Sequence, residues 1–261
     1  GLFVSIGSFD LYFQYPTEIT PRGFTFSILG LVYWWQAFWL FYAFFTIFRH
    51  GAEGPLYRSP ILLSPYFFFV YIIVLLLDIA WLFMWDRELL IGAFTTQIFV
   101  AFNLYVCIAT SVTYLNGNLE VLTKNCLGAE KWWIWIGVQN GLALYATWAT
   151  VRTSINFAIM LQYSASVHQT TAGSVALALL LAFFIIWSLV ELIFLDRYSR
   201  YLFMPYVTII WAFIGIVVGN FVSLSSLGNF ILAYVGLSVV SLLGIAKLVI
   251  LLVKHYTIPL K

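Results

Sequence analysis

The chain has 261 residues, of which 63% are hydrophobic, 20% aromatic and only 8% charged. Soluble domains carry about 25% charged residues, so this composition excludes a soluble protein and indicates one that resides in lipid. The formal net charge of +2 is spread over many loops. No basic run or stripe indicates a nucleic-acid partner. The two cysteines, Cys107 and Cys126, have neither metal-ligand nor redox spacing.

The stretch 15–36 introduces the first membrane helix. Pro16 and Pro21 keep the approach out of a helix, because proline fixes its own φ and disfavours helix in the residue before it. Thr20 is a suitable N-cap, and Pro21 suits the first helical position. No charge follows from 23 to about 48, a run longer than the roughly 20 residues that cross a bilayer core. The pattern predicts a transmembrane helix behind a proline-rich mouth.

Apolar runs of membrane-spanning length recur along the rest of the chain. The second and third are joined by the short turn 86–88, so their helices are expected to pack antiparallel. Polar loops are expected at 116–131 and 162–173. The sequence predicts an all-α, polytopic transmembrane helix bundle. Its seven spans are expected at about 23–48, 66–85, 89–115, 132–161, 174–195, 201–222 and 229–253.

The distribution of Lys and Arg predicts the orientation, because alternate loops of a seven-span protein lie on opposite sides of the membrane. One side has only Arg22 and Arg87, and the other side collects the remaining loop cations. By the positive-inside rule the richer side is cytoplasmic, so the amino end is expected outside and the carboxyl end inside. The cations of the richer side are Arg49, Arg58, Lys124, Lys131, Arg197, Arg200, Lys254 and Lys261.

Four ionisable residues fall within the predicted spans, where each costs about 2.5–3.5 kcal/mol and needs a partner or a wet cavity. Asp78 and Arg152 both lie in the outer halves of their helices and are candidates for one ion pair. That pair could either fix helix packing or form the polar floor of a ligand cavity. Glu191 and Lys247 lie in the inner halves and could form a second pair, or extend separately to the cytoplasmic interface.

A lysine in the seventh span raises the question of a retinal Schiff base at Lys247. Microbial rhodopsins are similar to one another in placing an aspartate one turn before their lysine, and here that position is Leu243. Retinal is therefore not the expected cofactor. No span holds a His, a metal-ligand spacing, or a Ser or Cys with a base nearby, so neither a metal site nor an enzyme is expected.

Three stretches of the sequence form recognisable motifs: YPTEITPRGFTFSILGLVYW, DIAWLFMWDREL and WATVRTSIN. They resemble three helices of the tryptophan-rich sensory protein and translocator protein family, TspO/MBR. These helices carry Gly-Pro-Val-Trp-Gly-x-Leu-Tyr after a proline-rich loop, Asn-Trp-Ala-Trp, and Trp-x-x-x-x-Thr-x-Leu-Asn. Asp78 and Arg152 replace neutral residues of that pattern, which favours their mutual pairing. The matching positions are Pro16, Pro21, Gly30, Tyr33, Ala80, Trp81, Trp148, Thr153 and Asn156.

The resemblance covers about 15–161 and implies a helix bundle with an aromatic pocket for porphyrins, sterols and synthetic drugs. It divides the chain into a TspO-like bundle, 1–161, and three additional transmembrane helices, 162–261. The family's sterol motif is not preserved after Tyr163, which no Lys or Arg follows closely. The ligand-binding residues that the resemblance implies are Phe24, Ser27, Tyr33, Trp34, Asp78, Trp81, Trp148, Arg152 and Asn156.

Two functions of different classes remain open. The first is non-enzymatic binding of a small hydrophobic or amphipathic ligand, porphyrin-like or lipid-like, between helices near the mouth. The second is a structural or accessory subunit that packs against a larger membrane channel or transporter complex. Glycines that permit close helix approach favour the second function. They are Gly215, Gly219, Gly236 and Gly244.

Overall fold

The computed structural model describes residues 14–51, 54–223 and 226–257, and most of them are helical. Residues 1–13 and Lys261, the last of the cations used for the orientation, lie outside the described residues. A two-residue hairpin pairs His50–Gly51 with Gly54–Pro55. The α-helices are α1 (Ile28–Phe45), α2 (Pro65–Asp86), α3 (Leu90–Lys124), α4 (Gly128–Trp132), α5 (Asn140–Ile159), α6 (Gln169–Ile193), α7 (Asp196–Ser199), α8 (Met204–Ser223) and α9 (Leu227–Thr257).

The first two long helices begin differently. Ser64 caps α2, because its Oγ accepts a hydrogen bond from the Phe67 N–H at 3.2 Å and Pro65 follows it. In contrast, α1 begins through a 3₁₀ turn, Gly23–Ser27, and the predicted N-cap at Thr20 is wrong. The Thr20 hydroxyl bonds that of Thr17 at 2.9 Å instead.

Six of the seven predicted spans coincide with helices that are long and apolar enough to cross a membrane. The remaining span, the fourth in chain order at 132–161, lies within a continuous helical rod at 128–164, hereafter the central helix. This rod combines α4 and α5 with π-helical turns at Trp133–Gln139 and Met160–Ser164. It is less apolar than the other spans, yet almost all of α5 is buried. An all-α polytopic membrane bundle therefore surrounds one comparatively polar helix.

Two predicted loops are largely helical. Helix α3 continues to Lys124, because Leu115, Leu119 and Leu122 stay buried at helical spacing. Helix α6 begins at Gln169 instead of 174. Both loop predictions relied on polar residues, which occupy the exposed faces of these helix ends.

The central helix is the hub of the packing, since α5 contacts α1, α3, α6 and α8. Its first π-helical turn, Trp133–Gln139, widens the backbone hydrogen-bonding pattern, and carbonyls in this turn and just after it accept hydrogen bonds from side chains of α1. The Trp35 indole donates to the Gly137 carbonyl at 2.9 Å, and the Gln36 amide donates to the Gly141 carbonyl at 2.9 Å. A Cβ on Gly141 would lie 2.6 Å from the Trp35 ring, so this close approach requires glycine.

The long helices alternate in direction and give the bundle two ends. The proline end carries residues 14–22, hereafter the proline segment, with the start of α6. The basic end carries Arg49 and the last turn of α9. At the basic end Asp196 pairs with Arg200 at 3.1 Å and with Lys254 at 3.0 Å.

Helices α6, α8 and α9 complete the bundle around the central helix. Gly215 and Gly219 of α8 face the proline segment and the first turn of the chain's own first helix, at Thr25 and Thr20. Gly236 lies against the Phe213 ring, and Gly244 of α9 also faces α8. The glycine faces thus make contacts within the chain.

Candidate functional site

An ion pair joins α2 to the central helix at membrane depth. Arg152 Nη2 lies 3.1 Å from Asp78 Oδ1, with side chains only 7% and 23% exposed. Tyr145 donates its hydroxyl proton to the other Asp78 oxygen. Tyr145 lies two turns before Arg152 on the same helical face, and sequence reasoning did not identify it. The carboxylate thus has two donors, which offsets the cost of placing it in lipid.

Trp81 covers the guanidinium of this pair. The Arg152 Cζ lies 5.4 Å from the centroid of the Trp81 ring, a cation–π distance. The Trp81 indole points to Asn156 Oδ1 at 3.4 Å, while the Asn156 amide donates to the Arg152 carbonyl at 2.8 Å. One turn of α2 and one turn of the central helix therefore bring four predicted residues together.

An aromatic column connects this cluster with the proline segment. The Trp85 ring lies 6.0 Å from Trp81, and Tyr15 lies 5.6 Å from Trp85 and 5.0 Å from Tyr163. The Tyr163 hydroxyl donates to the Pro16 carbonyl at 3.0 Å. The proline segment therefore covers the column from the proline end.

Glu18 fastens the proline segment to α6 and α9. Its carboxylate accepts from Thr170 at 3.1 Å and from Ser226 and Asn229 at 2.6 Å each. Burial favours the protonated form of Glu18, but these hydrogen bonds outweigh burial and hold its pKa below the ordinary value. The proline segment is therefore attached to α6 and α9 through a charged, buried carboxylate.

Trp148 adds a buried hydrogen-bond donor on the central helix. Its ring is fully buried and lies edge-on to Phe26 at 5.8 Å, one helical turn before Arg152. Within the described part of the chain, the Trp148 indole N–H is buried and has no hydrogen-bond partner. A ligand atom that accepts a hydrogen bond would satisfy it.

The predicted ligand-binding residues fall into a buried group and an outward-facing group. Asp78, Trp81, Arg152 and Asn156 form the cluster described above, and Trp148 is buried one helical turn before Arg152 on the central helix. The remaining four lie on the exposed face of the first helix and its 3₁₀ turn, since this helix directs Ile28, Val32, Gln36 and Trp39 inward at helical spacing. Trp34, for example, is 63% exposed. The four outward-facing residues are Phe24, Ser27, Tyr33 and Trp34.

A second intramembrane pair lies nearer the basic end. Lys247 binds Glu191, and these side chains are only 3% and 1% exposed, so neither extends to the interface. Glu191 also accepts from Tyr206 at 2.7 Å and Ser199 at 2.6 Å, while Lys247 donates to the Ser199 carbonyl at 3.0 Å. This network joins α6 to α9 through the intervening residues of α7 and α8.

Comparison with known proteins gives one match that spans nearly the whole chain. The sequence model of the TSPO-like protein family matches residues 8–256. The match therefore continues through α6, α8 and α9, beyond the 15–161 region in which the motifs were recognised. No curated protein and no solved structure matches the chain. The chain belongs to the TSPO-like protein family.

Proposed function

We propose that this multi-pass membrane protein is a non-enzymatic binder of a small hydrophobic or amphipathic molecule, with porphyrin-like and lipid-like compounds as the expected classes. The observation that carries the proposal is the buried indole N–H of Trp148, which has no hydrogen-bond partner among the described residues and lies one helical turn from Arg152 of the buried Asp78–Arg152 pair. Pockets for small molecules combine apolar walls with a few fixed polar groups. This cluster offers both at membrane depth.

The chemistry of the cluster suits a flat molecule with an acidic edge. The Trp81 and Trp148 rings provide apolar faces for a macrocycle or a chain. Arg152 can bind a carboxylate, because its guanidinium presents several donors in a fixed plane. Tyr145 would keep Asp78 hydrogen-bonded while Arg152 engages the ligand.

Porphyrin quenching of tryptophan fluorescence tests the proposal. Purified protein is titrated with a dicarboxylic porphyrin, and the wild type is compared with Trp148→Leu and Arg152→Gln. Each variant is expected to weaken binding about tenfold, because each loses one directional contact of 1–2 kcal/mol. The matched control is Trp34→Leu, which removes an exposed tryptophan of the outer face.

Affinity that stays unchanged in Trp148→Leu and Arg152→Gln would refute binding at this cluster. An equal loss of porphyrin affinity in Trp34→Leu would instead indicate that the porphyrin binds at the outer face of α1. Circular dichroism and the thermal midpoint of each variant separate lost binding from lost folding. Because Arg152→Gln leaves Asp78 paired only with Tyr145, Trp148→Leu is the more informative variant.

We further propose that the basic end faces the cytoplasm. Its support is the surplus of Lys and Arg at the end that holds Arg49, Lys124 and Lys254. The proline segment and the aromatic column would then face the opposite side. A ligand would approach Trp85 and Trp81 from outside the cytoplasm, after the proline segment has moved.

The glycines give the accessory-subunit alternative less support than the sequence alone suggests. Its argument rested on glycine faces available for a partner, and Gly215, Gly219 and Gly236 instead contact residues of the same chain. The exposed apolar side chains of the outer helices are those that lipid requires. Ligand binding is therefore the function that the geometry favours.

A further inference from the structure

A cleft at the basic end lies apart from the Trp81–Arg152 cluster and shares no residue with it. It has a volume of about 280 Å³. Its walls come from the last turns of α1, the loop before α2, and the first turn of α2. Most of the lining is apolar and aromatic, including Phe44, Tyr57, Leu62 and Phe68.

Glu130 provides the charged group of this lining. It belongs to α4, and its side chain is only 2% exposed. Tyr42 donates its hydroxyl proton to Glu130 Oε2 at 2.7 Å, and Arg49 binds the other oxygen. The Arg49 side chain is 46% exposed. The carboxylate is therefore fixed in place, whereas its cationic partner reaches into solvent.

We propose that this cleft binds a cationic amphiphile. The apolar body lies along the cleft, and the ammonium head replaces Arg49 on the Glu130 carboxylate. This binding is independent of the proposed function, because it uses a different carboxylate at the opposite end of the bundle.

Charge complementarity decides in favour of a cation. A buried carboxylate without a cation is costly, so Glu130 must retain one in every state. An ammonium head meets that need and releases the half-exposed Arg49 to water at little cost. An anionic head would instead draw Arg49 away and leave Glu130 with only the Tyr42 hydroxyl.

The aromatic lining strengthens the preference for a cation. Tyr42, Phe44, Tyr57 and Phe68 surround the cleft, and aromatic faces attract organic cations. Tyr42 is held in place by Trp133, since the two rings stack with centroids 5.8 Å apart and an interplanar angle of 15°. The phenol that positions the carboxylate is thus itself fixed.

Equilibrium dialysis against the full chain in phosphatidylcholine nanodiscs tests the proposal. The probe is radiolabelled dodecyltrimethylammonium, with dodecanoate and dodecanol as comparators of the same chain length. Saturable binding above empty nanodiscs is expected for the ammonium probe alone. Glu130→Gln should weaken it at least about tenfold. Arg49→Gln should strengthen it, because the competing cation is removed.

Two further variants complete the test. Ala43→Phe fills the cleft without changing any charge and should also remove saturable binding of the ammonium probe. Glu120→Gln is the matched control, because it neutralises an exposed carboxylate at the same end, and it should leave binding unchanged. Equal binding of all three probes, or weakening by Arg49→Gln to the level of Glu130→Gln, would overturn the proposal.

Discussion

At the scale of single residues, the Glu191–Lys247 pair gives a direct test of how buried charge is tolerated. Lys247→Met keeps an unbranched side chain of similar size but leaves Glu191 without its cation. We expect the free energy of unfolding to fall by about 3–5 kcal/mol, the cost of breaking a buried ion pair from one side. Chemical unfolding in detergent, followed by tryptophan fluorescence, measures this change.

The matched control for this pair is Lys254→Met. Lys254 is 31% exposed, and Asp196 keeps Arg200 when Lys254 is removed, so the loss should be well under that of Lys247→Met. The double variant Glu191→Leu with Lys247→Met should recover most of the stability, since no buried charge remains. A double variant as unstable as Lys247→Met would contradict this account.

Glu18 predicts a pH dependence of stability. Its pKa in the folded protein lies below the ordinary value of 4.5, so the unfolded chain binds the proton more tightly. The stabilisation is therefore complete above the unfolded pKa and is lost as the pH falls through the folded pKa. The thermal midpoint of the wild type should exceed that of Glu18→Gln at pH 7, and the difference should shrink below about pH 4.5.

The comparison with Glu18→Gln isolates one carboxylate from the others. Asp196 also has a lowered pKa, because hydrogen bonds and charges from Lys254 and Arg200 outweigh its burial. Both proteins retain Asp196, so its contribution cancels in the difference. A difference that stays constant from pH 7 to pH 3 would show that the Glu18 charge does not fasten the proline segment.

The sequence predicts how deep in the membrane a residue lies, but not which way its side chain points around the helix axis. The positions of Asp78 and Arg152 along their runs were enough to suggest a pair. The rotation of each helix about its axis was not, because α1 is apolar on all sides and its buried and exposed faces cannot be distinguished by polarity. The family resemblance places Tyr33 and Trp34 in the pocket, and no motif marks Tyr145.

At the scale of elements, helix ends were harder to predict than helices. Long apolar runs indicate α2, α6 and α9, whereas the polar residues at the end of α3 predict a loop. The spacing of Leu115, Leu119 and Leu122 contained the signal that could have extended α3. The π-helical turn at Trp133–Gln139 had no comparable signal, because the side chain that binds its Gly137 carbonyl is Trp35 of α1, far away in the sequence.

The contact between α8 and the 3₁₀ turn Gly23–Ser27 can be tested at Gly215. A Cβ at this position would lie 2.8 Å from the Cβ of Thr25, a clash that no rotation of the threonine side chain relieves. Gly215→Ala should displace the proline segment and destabilise the protein by about 1–3 kcal/mol. Faster hydrogen exchange is expected at Arg22, whose N–H donates to the Gly215 carbonyl at 2.9 Å.

Gly30→Ala is the corresponding control in α1. Nothing lies within 4 Å of the Cβ that it adds, and alanine is the better helix former. This variant should leave hydrogen exchange at Arg22 unchanged and slightly raise the thermal midpoint. If Gly215→Ala behaved in the same way, the proline segment would not be held by close packing against α8.

At the scale of the whole molecule, the central helix explains why a polar segment lies inside a membrane bundle. It carries Arg152, Asn140 and Asn156, all of which have partners on neighbouring elements or on the helix itself. Asn140 is an example of a polar residue with partners on a neighbouring element. Its Oδ1 accepts hydrogen bonds from the N–H groups of Phe203 and Met204 at 3.0 Å and so caps α8. Motif matching could not foresee this, since the partners lie beyond residue 161.

The proposed orientation of the whole bundle can be checked with a native cysteine. Of the two cysteines, Cys126 is exposed at the basic end and Cys107 is buried. A membrane-impermeant maleimide should therefore label Cys126 only when the reagent reaches the cytosol. The opposite end is sampled by Arg87→Cys in a Cys126→Ser background, because the Arg87 side chain is 76% exposed.

Selective opening of the plasma membrane distinguishes the two orientations in any cellular membrane. With the basic end in the cytoplasm, Cys126 reacts as soon as the reagent enters the cytosol. The Arg87→Cys variant reacts either in intact cells, if the protein lies in the plasma membrane, or only after detergent, if it lies in an internal one. If Arg87→Cys were labelled from the cytosol while Cys126 was protected, the bundle would have the opposite orientation. The aromatic column would then be reached from the cytoplasm, so a cytosolic ligand would have to displace the proline segment first.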